Sequence, residues 1–346
     1  MAGHGRRETR ASAFAIAVLA AVVMVAAAPG SGGAAGKRAS QCDRFASPGG
    51  SDSAPGTQSR PVRSPQRLVD VLQPGQTGCF GEGVYRFGRV QLNERRITLT
   101  AYGSTSVVLK GSIRVDPSGR RSRVTDVSIK GPGNQVTVLI QATRFSLRGS
   151  NITNLHRHSS CVLTGSYYSR RAPRGIHIVG NRIHDCGEIP RTNHDHGIYV
   201  AHSRRAVIKR NWIYDNADRG IQLYPRAQRS IIKGNVIDHN GTGINFSGVG
   251  GVTSNHNLVR GNIISRSVVR WNAASGPTGP RARGNVVRGN CVFASNRRFR
   301  SNGGIEKPSR NFRARHNRIA KPQFMHPGSG DYRLRASSRC RGVYRG

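Results

Sequence analysis

The chain has 346 residues, 36% hydrophobic and only 6% aromatic, with 43 glycines. Lys and Arg number 55 against 16 Asp and Glu, a formal charge of +39 carried almost wholly by arginine. So few acids argue against chemistry built on carboxylate clusters. The positive excess favours anionic polymers as partners, although arginine enrichment at solvated positions of a GC-rich genome would produce the same composition.

At the N-terminus, Arg6, Arg7 and Arg10 precede an apolar run over 11–28, followed by small residues up to Gly36. This pattern predicts a secretory signal peptide over 1–36, with a retained anchor as the alternative. No later segment is apolar enough to span a membrane after signal cleavage, so a secreted, extracellular protein is expected. Residues 37–61 lack periodicity and read as a linker and N-terminal arm. The segment 64–72 (SPQRLVDVL) predicts a short capping helix, with Ser64 as N-cap and Pro65 at the first helical position. An open solenoid end exposes core and strand edge, and such a helix covers both.

From there the chain repeats. HDHGIYV, DRGIQLY and TGINFSG place Gly197, Gly220 and Gly243 at a spacing of 23 residues. A short apolar strand and a Gly/Asn turn recurring at this interval predict a winding β-solenoid, and the domain is expected over 62–346. Asn151, Asn181, Asn211, Asn235, Asn262, Asn290 and Asn317 fall at equivalent points of successive coils. Three residues before five of them lie Ile178, Ile208, Ile232, Val259 and Val287, and two residues after six of them lie Ile183, Ile213, Ile237, Ile264, Val292 and Ile319. These columns predict a stacked aliphatic interior and a structural asparagine ladder, with strands about 4.8 Å apart. Arg182, Trp212, Val236 and Arg318 take the alternating, outward positions. The extra residues of 155–174, 187–196 and 268–284 are expected to be outside loops.

Six cysteines in a secreted chain allow fifteen pairings. Only neighbouring coils touch in a solenoid, which favours Cys42–Cys79, Cys161–Cys186 and Cys291–Cys340, each contributing about 2–4 kcal/mol.

GSDSAPGT, PQRLVDVLQPGQT and GEGVYRF resemble the opening of bacterial secreted right-handed parallel β-helix proteins, and DYRLRASSRC resembles their closing segment. The resemblance implies an all-β fold, a single-stranded right-handed parallel β-helix of the pectate-lyase-like superfamily. It also implies an acidic polysaccharide, or another anionic cell-envelope polymer, as partner of a lyase or C5-epimerase. A non-catalytic polysaccharide-binding β-helix and a matrix scaffold are the alternatives.

Aligning the glycine phrases stacks Asp195 on Asp218, His196 on Arg219, and Tyr199 on Gln222, Asn245 and then Glu306. The last column alternates with buried isoleucines and is expected to face out. Strict alternation puts His196 on the opposite face from Asp195 and Tyr199, unless a bend at Gly197 brings it back. Polyuronate elimination or epimerisation needs a cation against the carboxylate, a base near C5 and a proton donor. The expected catalytic set is therefore His194 or His196 as base, Tyr199 as donor or second base, Arg219 against the carboxylate, and Asp195 orienting a histidine. Asp218, Gln222, Tyr224 and Asn245 are expected to bind substrate. The His-Asp-His beside a strand Tyr is loosely similar to the Asp-Pro-His and Tyr constellation of mannuronan C5-epimerases, without its Pro and in a different order.

No cofactor is expected. Calcium at the single stacked pair Asp195/Asp218 is the alternative, as is zinc held by His194, His196 and either His177 or His184. Nucleic acid is not expected, because the chain has no basic helix or aromatic platform. The protein is expected to be a monomer.

Overall fold

The computed structural model describes residues 41–165, 171–276 and 279–344. The expected signal peptide lies outside them. The described residues belong to one compact unit within Ala39–Gly346.

Short parallel strands wind into a right-handed solenoid of about nine turns. Each complete coil contributes one strand to each of three sheets. The first sheet has eleven strands, from Arg44–Ala46 to Arg313–Arg315. The second and third are joined near the N-terminal end by the long strands Gly83–Leu92 and Val107–Val115. Within Val107–Val115, residues 108–110 pair with Ser128–Lys130 and residues 113–115 with Val138–Ile140. Beyond that point each coil breaks between these two sheets, as in Arg182–His184 followed by His196–Val200.

The aliphatic columns form the core. Ile178, Ile208, Ile232, Val259 and Val287 stack in register and are fully buried, as are Ile183, Ile213, Ile237, Ile264 and Val292. Each such side chain contributes about 1.5–3 kcal/mol. Ile319 is 45% exposed, contrary to the expected interior column, because the Arg318–Ile319 strand is the last of its sheet. Val236 departs the other way. It was expected to face outward, yet it is fully buried. The C-terminal segment folds back over that face and packs Tyr332 against Tyr214, Trp212 and Phe324.

The asparagine ladder marks the corner between the first and second sheets. From Asn181 through Asn211, Asn235, Asn262 and Asn290 to Asn317, each Nδ2 donates to the next Oδ1 at 2.9 Å. Asn151 is not a rung. Its neighbour Ser150 occupies that level and donates its backbone N–H to Asn181 Oδ1 at 3.0 Å, because Asn151 is in register with Arg182. Immediately before the ladder runs a column of left-handed residues, which is glycine at Gly149, Gly180, Gly234, Gly261 and Gly289. A left-handed backbone favours glycine because no Cβ meets the following carbonyl.

The cap is a helix over Pro65–Asp70, with the Ser64 side chain accepting from Arg67 N–H. Leu68, Val69 and Leu72 are buried. Gly78 lies beneath them; an added Cβ would sit 2.9 Å from Leu72 and 3.0 Å from Leu68. Part of the expected linker is a rung of the solenoid, since Arg44–Ala46 pairs in parallel with Gly78–Phe80. The three expected disulfides are the ones that form. Cys42–Cys79 ties the N-terminal segment to the first coils, and Cys291–Cys340 holds the returning tail.

Candidate functional site

The glycine phrases are strands of the third sheet, His196–Val200, Arg219–Leu223 and Thr242–Phe246. Their register sets His196 beside Arg219 and Thr242, and Tyr199 beside Gln222 and Asn245, as the phrases implied. The next partner of Asn245 is Ala274, and the Ala273/Ile305 bridge places Glu306 one coil further. The expected loops 155–174 and 268–284 are thus not wholly loops, because each carries a third-sheet strand, Val162–Thr164 and Ala273–Ser275.

The repeated glycine has a steric cause. A Cβ at Gly197 would lie 2.8 Å from Asn216 Nδ2, and one at Gly220 would lie 2.9 Å from Asn240 Nδ2. These amides form a second ladder, Asn216 Nδ2 donating to Asn240 Oδ1 at 2.7 Å. A third corner stacks Asn257 on Asn285 in the same way, at 3.0 Å. Neither ladder was read from the sequence, although asparagines recurring beside the glycine phrases were the available signal.

His196 shares a side with Tyr199. The rings meet edge to face, centroids 5.2 Å apart, and Tyr224 lies 6.3 Å beyond Tyr199. The strand pairing skips Gly197, and this break in alternation brings the two rings together. His196 is 4% exposed and its Nδ1 has no hydrogen-bond partner. Burial and the adjacent Arg219 push its pKa well below the usual histidine value, so the ring is neutral at pH 7. Burial, with Tyr224 alongside, pushes the Tyr199 phenol up, so it keeps its proton. Arg219 donates to the Asn193 carbonyl and to its side-chain oxygen, at 2.8 and 2.5 Å. Burial lowers its pKa, opposed by Asp218 and Tyr199.

The remaining expected residues divide. Gln222 and Asn245 are covered and bonded to each other, Asn245 Nδ2 to Gln222 Oε1 at 3.0 Å. Asp218 is spent on the backbone, its carboxylate accepting from Asp195 N–H at 2.9 Å. His194 is exposed. The Asp195 carboxylate turns away from both neighbouring histidines and accepts from Thr192 Oγ1 at 3.3 Å and Glu188 N–H at 3.4 Å. Among the described residues no hydrogen bond joins it to the ring of His194 or His196.

His158, which sequence reading passed over, lies with Nδ1 3.4 Å from both Glu188 Oε1 and Asp195 Oδ2. Their ligating atoms all fall within 4.8 Å of one another, and among the described residues this trio is the set that could hold a divalent cation. It differs from both metal alternatives drawn from the sequence. Asp218 does not join it, and His184 uses its ring nitrogens on Asp185 and Asn151. His158 and Glu188 stand on separate loops brought together by Cys161–Cys186, which no local motif reveals.

A groove of about 990 Å³ opens not over Tyr199 but past the end of its strand, lined by residues including His202, Arg204, Arg226 and Arg281.

With winding, ladders and register in view, comparison with known proteins places the fold. A family model described as "Right handed beta helix region" matches residues 111–274. The chain is a right-handed parallel β-helix protein. Among solved structures, this β-helix is similar to pectate lyase Pel9A, at 11% identity and a TM-score of 0.61, covering 86% of this chain and 90% of that one. It is also similar to XylC, solved in complex with xylose, at 11% identity and a TM-score of 0.50, covering 72% of this chain and 69% of that one. At such identity these likenesses describe the shared fold. No curated protein matches the sequence. Among the described residues no helix is long and apolar enough to cross a membrane.

Proposed function

We propose that this β-helix protein is a secreted, carbohydrate-active lyase or C5-epimerase for an acidic, uronate-bearing polysaccharide, acting at the third sheet as a monomer. The observation that carries the reading is the grouping of a neutral His196, a protonated Tyr199 and a cationic Arg219 on adjacent coils. Arg219 faces the uronate carboxylate and stabilises the negative charge that develops when the C5 proton leaves. His196 takes that proton. In elimination, the C4–O4 bond breaks as the C4=C5 double bond forms, and Tyr199 protonates the departing oxygen. The proton on His196 then returns to Tyr199, its ring neighbour. In epimerisation, Tyr199 returns a proton to C5 from the opposite face and the glycosidic bond stays intact. Tyr224, half-buried beside Tyr199, seats a neighbouring sugar, while Gln222 and Asn245, bonded to each other, form the covered floor of the row. The similarity to a pectate lyase supports the class at the level of fold. Three disulfides suit the oxidising compartment that the signal peptide implies.

The burial of His196 favours a second reading, a polysaccharide-binding β-helix without catalysis, because a covered imidazole meets substrate only if the face opens. Turnover of uronate polymers, followed as unsaturated-uronate absorbance and as altered uronate composition, separates the two. The enzyme reading expects turnover to fall at least about 100-fold in His196→Ala and Tyr199→Phe, with unchanged circular dichroism. Binding of uronate polymer without turnover by the unsubstituted protein establishes the second reading instead.

A further inference from the structure

The corner between the third and first sheets carries a different side-chain column from the ladder corner. Its turn residues are also left-handed, with φ between 55° and 67°, yet five of eight are arginine: Arg96, Arg121, Arg144, Arg205 and Arg229. The other coils place Gly175, His256 and Gly284 there. At the ladder corner the equivalent column holds five glycines and a single arginine, Arg210. A left-handed residue bearing a Cβ costs roughly 1 kcal/mol relative to glycine. Five arginines therefore stand where the backbone favours glycine, and backbone conformation does not explain them.

The column before it adds further charge. Arg96 N–H donates to the Arg120 carbonyl, Arg144 N–H to that of Arg174, and Gly175 N–H to that of Arg204. All of these arginines are exposed, and among the described residues none of them makes an ion pair. Like charges one coil apart repel, so this corner is less stable than a neutral one unless a counter-charge is present. The groove of about 990 Å³ meets a second, of about 620 Å³, at Thr143 and Arg174. It meets a third, of about 590 Å³, at Arg281 and Arg283. The three form one trough along the solenoid axis.

We propose that this trough is a binding site for a linear carboxylate polysaccharide laid along the axis, separate from the Tyr199 face. Guanidinium forks match carboxylates bidentately. Successive coils advance about 4.8 Å, close to the advance of one pyranose ring along an extended 1,4-linked glycan, so an acidic sugar on each ring meets a fresh arginine at each coil. Phe312, at one end of the trough, is its one aromatic among the described residues and is buried against Phe246, which leaves out the stacking platform used by single-stranded nucleic acid. The proposal stands on the charge and geometry of the corner and does not depend on chemistry at Tyr199.

The test titrates the full chain into fluorescently labelled polygalacturonate oligomers at several salt concentrations. The trough variant is Arg121→Gly/Arg144→Gly/Arg205→Gly. It installs the residue this backbone prefers, so the fold is retained, as thermal melting checks. A control variant, Arg210→Ser/Arg260→Ser/Arg288→Ser, removes the same charge from the ladder corner. The expected result is a loss of affinity of at least about tenfold and a shallower salt dependence in the trough variant, with the control within about threefold of the unsubstituted protein. Equal losses in the two variants would mean diffuse attraction by net charge and would overturn the site. Tighter trough-dependent binding of inorganic polyphosphate than of polygalacturonate would overturn the carboxylate assignment. Uronate turnover is read in the same preparations. A protein that binds through the trough but turns nothing over rejects the enzyme and keeps the trough; turnover without trough-dependent binding does the reverse.

Discussion

Two corners of the same solenoid meet similar backbone demands with opposite chemistry. At the ladder corner the coils turn through a left-handed residue, mostly glycine, into the asparagine ladder, where the amides of Asn211 and Asn235 are buried and satisfied by the coils on either side. At the arginine corner the chain turns through the same conformation and again into buried residues such as Ser230, Asn257 and Asn285, but the left-handed residues themselves are mostly exposed arginines with no acidic partner among the described residues. The first corner uses hydrogen bonds within the molecule and contributes to holding the coils together. The second has such bonds only over part of its length, at Asn257 and Asn285, and presents charge outward. A repeat fold can thus keep its winding rule at one edge while another edge is free to diverge.

The largest expected effect tests the first half of that contrast. Asn235 donates to the Ile208 carbonyl and to Asn262, and accepts from Asn211, with no exposure. Asn235→Ala orphans several buried groups at once and is expected to destabilise the protein by about 3–5 kcal/mol, read from denaturant unfolding. A deficit below about 1 kcal/mol would mean that the ladder is incidental to stability.

The next effect belongs to neither corner and separates both from the third-sheet face. On that face His196 is held neutral, its folded pKa depressed by burial and by Arg219. A depressed histidine favours the folded state above its unfolded pKa of about 6.5, and that stability is lost as pH falls through 6.5 toward the folded value. Melting temperature measured against pH should therefore drop in this window, and the drop should be smaller in His196→Gln. Identical pH profiles for the two proteins would show that His196 is not held neutral.

The smallest effect exchanges the corners. Arg205→Gly is expected to leave stability within about 1 kcal/mol or raise it, whereas Gly234→Arg, at the equivalent ladder-corner turn, is expected to lower it by about 1 kcal/mol. Paired melting curves check the sign of each. Opposite signs would mean that the arginine column is required by the turn itself.

The aliphatic columns, the main asparagine ladder, the capping helix and the three disulfides were legible because a solenoid repeats its local rule, so alignment of the sequence with itself gives register. Errors arose where that self-similarity is interrupted. Ser150 replaces the expected Asn151 rung, since the Gly/Arg-Asn signal slips by one residue there. The strand Ala273–Ser275 lacks the glycine phrase, which moved Glu306 one coil too near. The first coils looked irregular because Gly83–Leu92 and Val107–Val115 run across two sheets without a break. At the candidate site, the Tyr199/Gln222/Asn245 column followed from phrase alignment, but the direction of His196 did not, because it turns on the unpaired Gly197 within that strand.

The sequence by itself determined the winding, the interior columns, which polar residues share a row, and which cysteines pair, all consequences of periodicity along one axis. Tertiary structure alone decided what faces what around the circumference. It buried Val236 under Tyr332, turned Asp195 toward His158 and Glu188 instead of a histidine base, and gathered arginines from scattered turns into one trough. The physical reason is that stacking order depends on repeat length, whereas lateral contacts depend on loops whose lengths and closures no repeat constrains.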